Sequence, residues 1–180
     1  WCFLSGGLFE EPDRLGSSML LQRLLRHGTD EHDAMSFARQ LDCQGIRLGT
    51  QVSMDSMIVS VSALREYLGD AIQMANAVAF RPLLPKSSLA MERIRTMHAH
   101  QQAGGQIEAM SSLWLAHAVY GNHPYGRPAT TLSGLKSTTV DDVRLLHRRI
   151  VESTKALLLV VGDVQPHEVA DFMARQVSML

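Results

Sequence analysis

Hydrophobic residues recur at helical spacing in several stretches of the chain and alternate with polar residues in two others. The helical stretches are 17–25, 31–43, 64–78, 86–102, 107–120 and 139–150. The alternating stretches, 46–53 and 55–63, predict two strands joined by a tight turn near Met54 and Asp55. Pro166 suits a first helical turn and therefore predicts a last helix.

Capping signals define several of these ends. Gly28 should end the first helix, and Thr29 or Asp30 can cap the second. A capping box is expected at the helix near 139, completed by Asp141 or Asp142.

Two more strands are expected near the ends of the chain. Residues 1–5 resemble the tail of a strand, and the apolar run 155–164 predicts a buried one. The order is strand, two helices, a β-hairpin, several helices, strand and helix. This order predicts an α+β fold, with helices packed on one face of a mostly antiparallel sheet.

Composition narrows the class of protein without assigning a function. With 180 residues and a formal net charge of −1, the chain fits one domain over residues 1–180 and lacks the basic excess of a nucleic-acid-binding protein. No apolar run reaches the ~20 residues of a membrane span, so we expect a soluble domain without a transmembrane segment. Because residue 1 already lies in a strand-like stretch, we expect a fragment of a longer multi-domain chain that lacks its first strands.

Five stretches in order resemble one domain of the pitrilysin/insulinase (M16, inverted-zincin) metallopeptidases, a family that includes the mitochondrial processing peptidases. They are GGLFEEPDRLGSSMLLQRLLRHGT, LDCQGIRLGTQVSMDSMIVSVS, RPLLP, NHPYGRP and LLLVVGDVQPHEV. The resemblance implies a domain of the LuxS/MPP-like metallohydrolase type. In active members, a helical His-x-x-Glu-His motif supplies two zinc ligands and the general base.

The resemblance also implies that this motif is degenerate here. Gly16 and the pair Gly28-Thr29 fix the register of the comparison. The first histidine, the glutamate and the second histidine then fall on Met19, Gln22 and Arg23. A thioether is a poor zinc ligand, an amide cannot accept a proton at neutral pH, and a guanidinium carries a permanent positive charge.

The third family ligand, a glutamate, would fall between Met97 and His100, where there is no carboxylate. Glu92 lies one or two turns earlier, and we expect it to pair with Arg23 because an unpaired buried charge is strongly destabilising. Met19 and Met97 would lie close together in the vacated pocket. The resemblance thus implies no catalysis, no metal site and no cofactor in this domain.

Other residues are candidates for contacts with a peptide or a partner. Gly49, Thr50, Gln51 and Val52 match the strand that pairs with extended substrate in active members, and a backbone edge can add a strand whatever its side chains. In the loop GNHPYGRPATT, Tyr125 is expected either to pack on the body of the domain or to join Arg127 at a partner surface. A rebuilt metal site from His98 or His100 with His117 and Glu92 is the remaining metal hypothesis.

The family commonly pairs a zinc-bearing domain with a degenerate homologue around a chamber. We therefore expect an inactive subunit or domain whose partner is a homologous M16-type domain holding the zinc, with an extended peptide in the shared chamber and no nucleic acid. The alternatives are an architectural core-type subunit of a large complex with no role in proteolysis, and an active hydrolase with a rebuilt site. The compartment stays open between bacterial cytoplasm or periplasm and mitochondrion.

Overall fold

The computed structural model describes residues 1–103, 107–153 and 155–177, and these form an α+β fold as the sequence predicts. The helices are α1 Ser17–Leu24, α2 Ala34–Cys43, α3 Leu68–Phe80, α4 Lys86–Ala103, α5 Ile107–Tyr120, α6 Leu132–Ser137, α7 Val140–Ser153 and α8 Pro166–Val177. The strands are β1 Cys2–Phe3, β2 Arg47–Val52, β3 Met57–Ser62 and β4 Ala156–Leu157.

The four strands form one sheet in the order β2-β3-β1-β4, and each neighbouring pair is antiparallel. The predicted hairpin is confirmed, with β2 and β3 paired from Arg47 opposite Ser62 to Val52 opposite Met57. Among the described residues, β2 is therefore an edge strand. This edge lies beside α1, whose residues contact β2.

A single apolar core joins α1 to the sheet and to two other helices. The leucines of α1 have almost no exposed surface, and the helix packs against β2, α4 and α7. The core takes residues from α1 and the position after it, from the sheet, and from α3 and α7; they include Phe3, Leu20, Leu21, Leu24, Leu25, Met57, Val59, Ala75, Val78, Val143 and Ile150. Burial of so much aliphatic surface holds α1 rigidly in place.

The start of α1 is held by a glycine and a buried carboxylate. Gly16 has a φ of +116°, and a Cβ there would lie 2.6 Å from a methyl of Leu135, so only glycine fits. Glu10 accepts hydrogen bonds from the backbone N–H groups of Gly16 and Ser18, which the first turn of a helix leaves unpaired. Burial raises the pKa of Glu10, and these hydrogen bonds oppose the shift.

The second helix starts later than predicted because a residue further along the chain provides its N-cap. The second helix begins at Ala34 because Asp33 accepts a hydrogen bond from the N–H of Ser36, whereas Thr29 and Asp30 lie in the preceding connection. Asp142 completes the predicted capping box with Thr139. The short helix α6 was not predicted.

The prediction of a buried strand over 155–164 is wrong. Only Ala156 and Leu157 pair, with Phe3 and Cys2 of the equally short β1. Leu159 and Val161 are exposed, because beyond that pairing an apolar cleft of about 840 Å³ separates this segment from β3 and α3.

Candidate functional site

A buried carboxylate with three basic neighbours lies where α1 meets α4. Glu92 of α4 is only 3% exposed. Its Oε2 lies 3.6 Å from Nη1 of Arg23 on α1, and its Oε1 accepts hydrogen bonds from Nε2 of His27 (3.1 Å) and Nη1 of Arg95 (2.8 Å). These contacts supply the partners that a buried carboxylate needs. The predicted pairing of Arg23 with Glu92 is therefore confirmed.

Sequence reasoning missed the other two partners, although their spacing gave a signal. His27 follows Arg23 by four residues, and Arg95 follows Glu92 by three, both of which place side chains on one helical face. Two guanidiniums face one carboxylate, so the cluster carries an excess of positive charge. Arg23 Nε is buried and has no hydrogen-bond partner among the described residues.

This donor set does not fit a catalytic zinc ion. Such a site needs three protein ligands and an open position, whereas only Glu92 and His27 could act as ligands here. These two side chains already bind each other, and Glu92 also binds Arg23 and Arg95. Within residues 1–103, 107–153 and 155–177, no three His, Cys, Asp or Glu side chains are grouped so that they could hold a metal ion. That this domain binds no metal ion stays a prediction.

The histidines considered for a rebuilt site have separate hydrogen-bond partners. His100 Nδ1 lies 2.7 Å from the hydroxyl of Thr130, and His117 Nδ1 lies 3.3 Å from the carbonyl of Gly126. His98 is exposed on α4. The structure does not bring these side chains together with Glu92. The predicted proximity of Met19 to Met97 stays a prediction.

Gln22, at the position that the resemblance gives to the general base, faces the edge strand instead. Its side-chain Oε1 accepts a hydrogen bond from the backbone N–H of Val52 (3.2 Å). The Thr50 hydroxyl donates to the Gln22 carbonyl oxygen (2.9 Å). Thr50 and Val52 thus lie beside Gln22, whereas no hydrogen bond joins Gly49 or Gln51 to α1 among the described residues.

The loop residue Tyr125 contacts the turn of the same hairpin. Its hydroxyl donates to Asp55 Oδ1 (2.6 Å), and this hydrogen bond to the carboxylate raises the pKa of Tyr125. The ring packs against Tyr120 of α5 and against His123. Tyr125 thus contacts the domain itself but stays exposed, and Arg127 beside it is half-buried. Contact of Tyr125 or Arg127 with a peptide or a partner stays a prediction.

A family comparison identifies the chain. Residues 2–131 match the model of the insulinase family, peptidase family M16. The chain belongs to the M16 family. The match covers α1, the hairpin and the loop that contains Tyr125, so the sequence resemblance is confirmed.

Relatives with similar sequences or folds include proteins described as lacking activity. The chain is 23% identical over 164 residues to the "Non-peptidase homolog YmxG" of Helicobacter pylori, covering 91% of this chain. A Pseudomonas fluorescens structure described as a peptidase M16 inactive domain superposes on 99% of the chain with a TM-score of 0.86 and 19% identity. The first half of the periplasmic protease PqqL from Escherichia coli superposes on 99% with a TM-score of 0.84 and 16% identity.

This M16 chain spans less than half the length of these relatives. It covers 38% of the H. pylori protein, 44% of the P. fluorescens chain and 40% of the PqqL half. These relatives are thus more than twice as long as this chain. In the part of the chain that the structure describes, no helix is long and apolar enough to cross a membrane.

Proposed function

We propose that this M16 domain is non-catalytic and pairs with a homologous domain that bears the zinc, so that the two enclose an extended peptide. The observation that carries the proposal is the Glu92 cluster. Glu92, the buried carboxylate beside α1, is already bound to Arg23, His27 and Arg95. The proposal includes no cofactor in this domain.

The names of two relatives support the non-catalytic part. One is called a non-peptidase homologue and the other an inactive domain. The substitutions at Met19, Gln22 and Arg23 offer a chemical reason for inactivity, because none of these side chains can replace a zinc ligand or a general base.

Helix α5 supports the pairing part. Ile107, Trp114, Leu115 and Val119 are between 64% and 82% exposed on this mostly apolar helix of 14 residues. An exposed apolar patch of this kind marks an interaction site. A homologous domain is the proposed occupant because the matched relatives continue for more than the length of this chain.

Affinity purification of the tagged protein from its own host tests the proposal. We expect recovery of a homologous domain with an intact His-x-x-Glu-His motif, on the same parent chain or on another, together with zinc and cleavage of an unstructured peptide. Replacing Trp114 and Leu115 with serine should reduce recovery of a separate partner at least about tenfold, since hot-spot truncations cost about 2 kcal/mol or more.

Met35→Ser is the matched control, because Met35 is 82% exposed on α2 and should leave recovery unchanged. A stable complex without any motif-bearing M16 domain would contradict the proposal and favour a purely architectural subunit. Equal recovery with the α5 variant would remove α5 from the interface.

A further inference from the structure

The hydrogen bonds between β3 and β1 show which backbone groups of β2 point away from the sheet. The Trp1 amino group donates to the Val59 carbonyl (2.7 Å), and the Val59 N–H donates to the Trp1 carbonyl (2.9 Å). The backbone groups of Val59 therefore face β1. Because hydrogen-bonded and non-hydrogen-bonded pairs alternate in an antiparallel ladder, Thr50, which lies opposite Val59, has its own N–H and C=O directed away from β3.

The same alternation directs the backbone groups of Leu48 and Val52 to the outer edge. The Ser53 N–H donates inward to the Ser56 carbonyl (2.8 Å), as this alternation requires. The edge thus presents three outward N–H groups, from Leu48, Thr50 and Val52. Such groups pair readily with an added strand.

One of the three donors is already bound within the domain. Gln22 Oε1 occupies the position that a partner-strand carbonyl would take at Val52. The hydrogen bond from the Thr50 hydroxyl to the Gln22 backbone holds α1 against this edge, and the buried leucines of α1 fix the helix. Gln22 is therefore well placed to act as a permanent cap rather than as a mobile side chain.

We propose that Gln22 closes the β2 edge at Val52, so that an extended peptide pairs with Leu48 and Thr50 and its pairing ends before Val52. The strand-addition half of this proposal rests on the proposed function, whereas the cap does not. In this role Gln22 is a positioning residue that sets where a bound peptide strand ends. The amide that the resemblance puts in place of a general base thereby gains a structural use.

Amide hydrogen exchange, followed residue by residue by NMR, tests the cap. In the unliganded wild-type chain, we expect the Val52 amide to exchange about tenfold more slowly than the Thr50 amide, since a net hydrogen bond contributes about that factor. Gln22→Met, which keeps the length of the side chain but removes the acceptor, should abolish this difference. Gln22→Glu keeps an acceptor and is the matched control, so it should preserve the difference.

The heptapeptide Lys-Thr-Val-Thr-Val-Thr-Lys is the probe for strand addition. It should slow exchange at Leu48 and Thr50 in the wild-type chain, and at Val52 as well only in Gln22→Met. Equal exchange at Val52 and Thr50 in the unliganded wild type, or an unchanged pattern in Gln22→Met, would overturn the cap. A slow Val52 with no peptide effect at Leu48 or Thr50 would overturn strand addition, and with it the peptide part of the proposed function, while the cap would stand.

Discussion

At the scale of single residues, Arg23 and His27 form one ion-pair cluster with Glu92 of α4. A buried glutamate is costly without partners, and a guanidinium four residues before His27 supplies a charge where the resemblance puts a metal ion. Gln22 also joins two elements, because its side-chain oxygen accepts a hydrogen bond from the Val52 N–H. Gln22 and Arg23 thus connect α1 to β2 and to α4.

Glu92→Gln should destabilise the domain by about 1–3 kcal/mol, because the amide removes the charge that pairs with Arg23 and Arg95. The value lies below that of a fully buried pair because Arg23 is about one third and Arg95 more than half exposed. Chemical denaturation of the two chains at neutral pH measures the difference.

Glu66→Gln provides the matched control, since Glu66 is exposed and should change stability by less than about 0.5 kcal/mol. If Glu92→Gln unfolds at the same denaturant concentration as the wild type, the ion pairs around Glu92 do not stabilise the fold.

At the scale of elements, a buried histidine connects two helices of the core. His147 of α7 is 8% exposed, and its Nε2–H donates to the Ala79 carbonyl of α3 (2.9 Å). Burial lowers the pKa of His147 below its usual 6.5, while the hydrogen bond opposes this shift. The imidazole is therefore neutral in the folded state under conditions in which it is partly protonated in the unfolded chain.

Acidification should consequently destabilise the domain. Below about pH 6.5, the unfolded state binds a proton at His147 that the folded state does not, so the free energy of unfolding falls as the pH falls toward the lowered pKa. His147→Gln keeps an N–H donor without a titrating group, so its stability should fall less between pH 7 and pH 5. Thermal unfolding across this range measures the stability of wild type and of His147→Gln, and His167→Gln, at an exposed histidine, is the control. If the stability of wild type and of His147→Gln fell equally with pH, His147 would not be the source of the acid sensitivity.

Some helices and strands were predictable from the sequence, and others were not. The hairpin, the α5 bounds and the start of α8 at Pro166 follow from local spacing and breaker residues. The start of α2 was predicted three residues too early because Asp33 outcompetes Thr29 and Asp30 as a cap. The apolar run 155–164 was expected to be buried, but burial depends on neighbouring strands that periodicity does not report.

One contact of the candidate site was predictable from the sequence, and another was not. The Arg23–Glu92 pair was predictable because a buried charge requires a partner, and only a suitable carboxylate on the facing helix could supply one. The contact between Gln22 and Val52 was not predictable, because it depends on how α1 lies across a sheet edge 30 residues away in sequence.

At the scale of the whole molecule, this M16 chain has a mostly apolar helix exposed to solvent and spans less than half the length of its relatives. Both features support the proposed pairing with a homologous domain. The account requires that any zinc of such an assembly be bound by the other domain, because the Glu92 cluster has no free set of ligands for it.

Zinc content of the purified chain tests this central claim most directly. The chain is equilibrated with zinc chloride, freed of unbound metal by gel filtration and measured by inductively coupled plasma mass spectrometry, with an M16 peptidase bearing an intact motif as positive control. The account predicts far less than one zinc ion per chain and no cleavage of an unstructured peptide. One tightly bound zinc ion per chain, lost together with peptide cleavage on chelation, would contradict it.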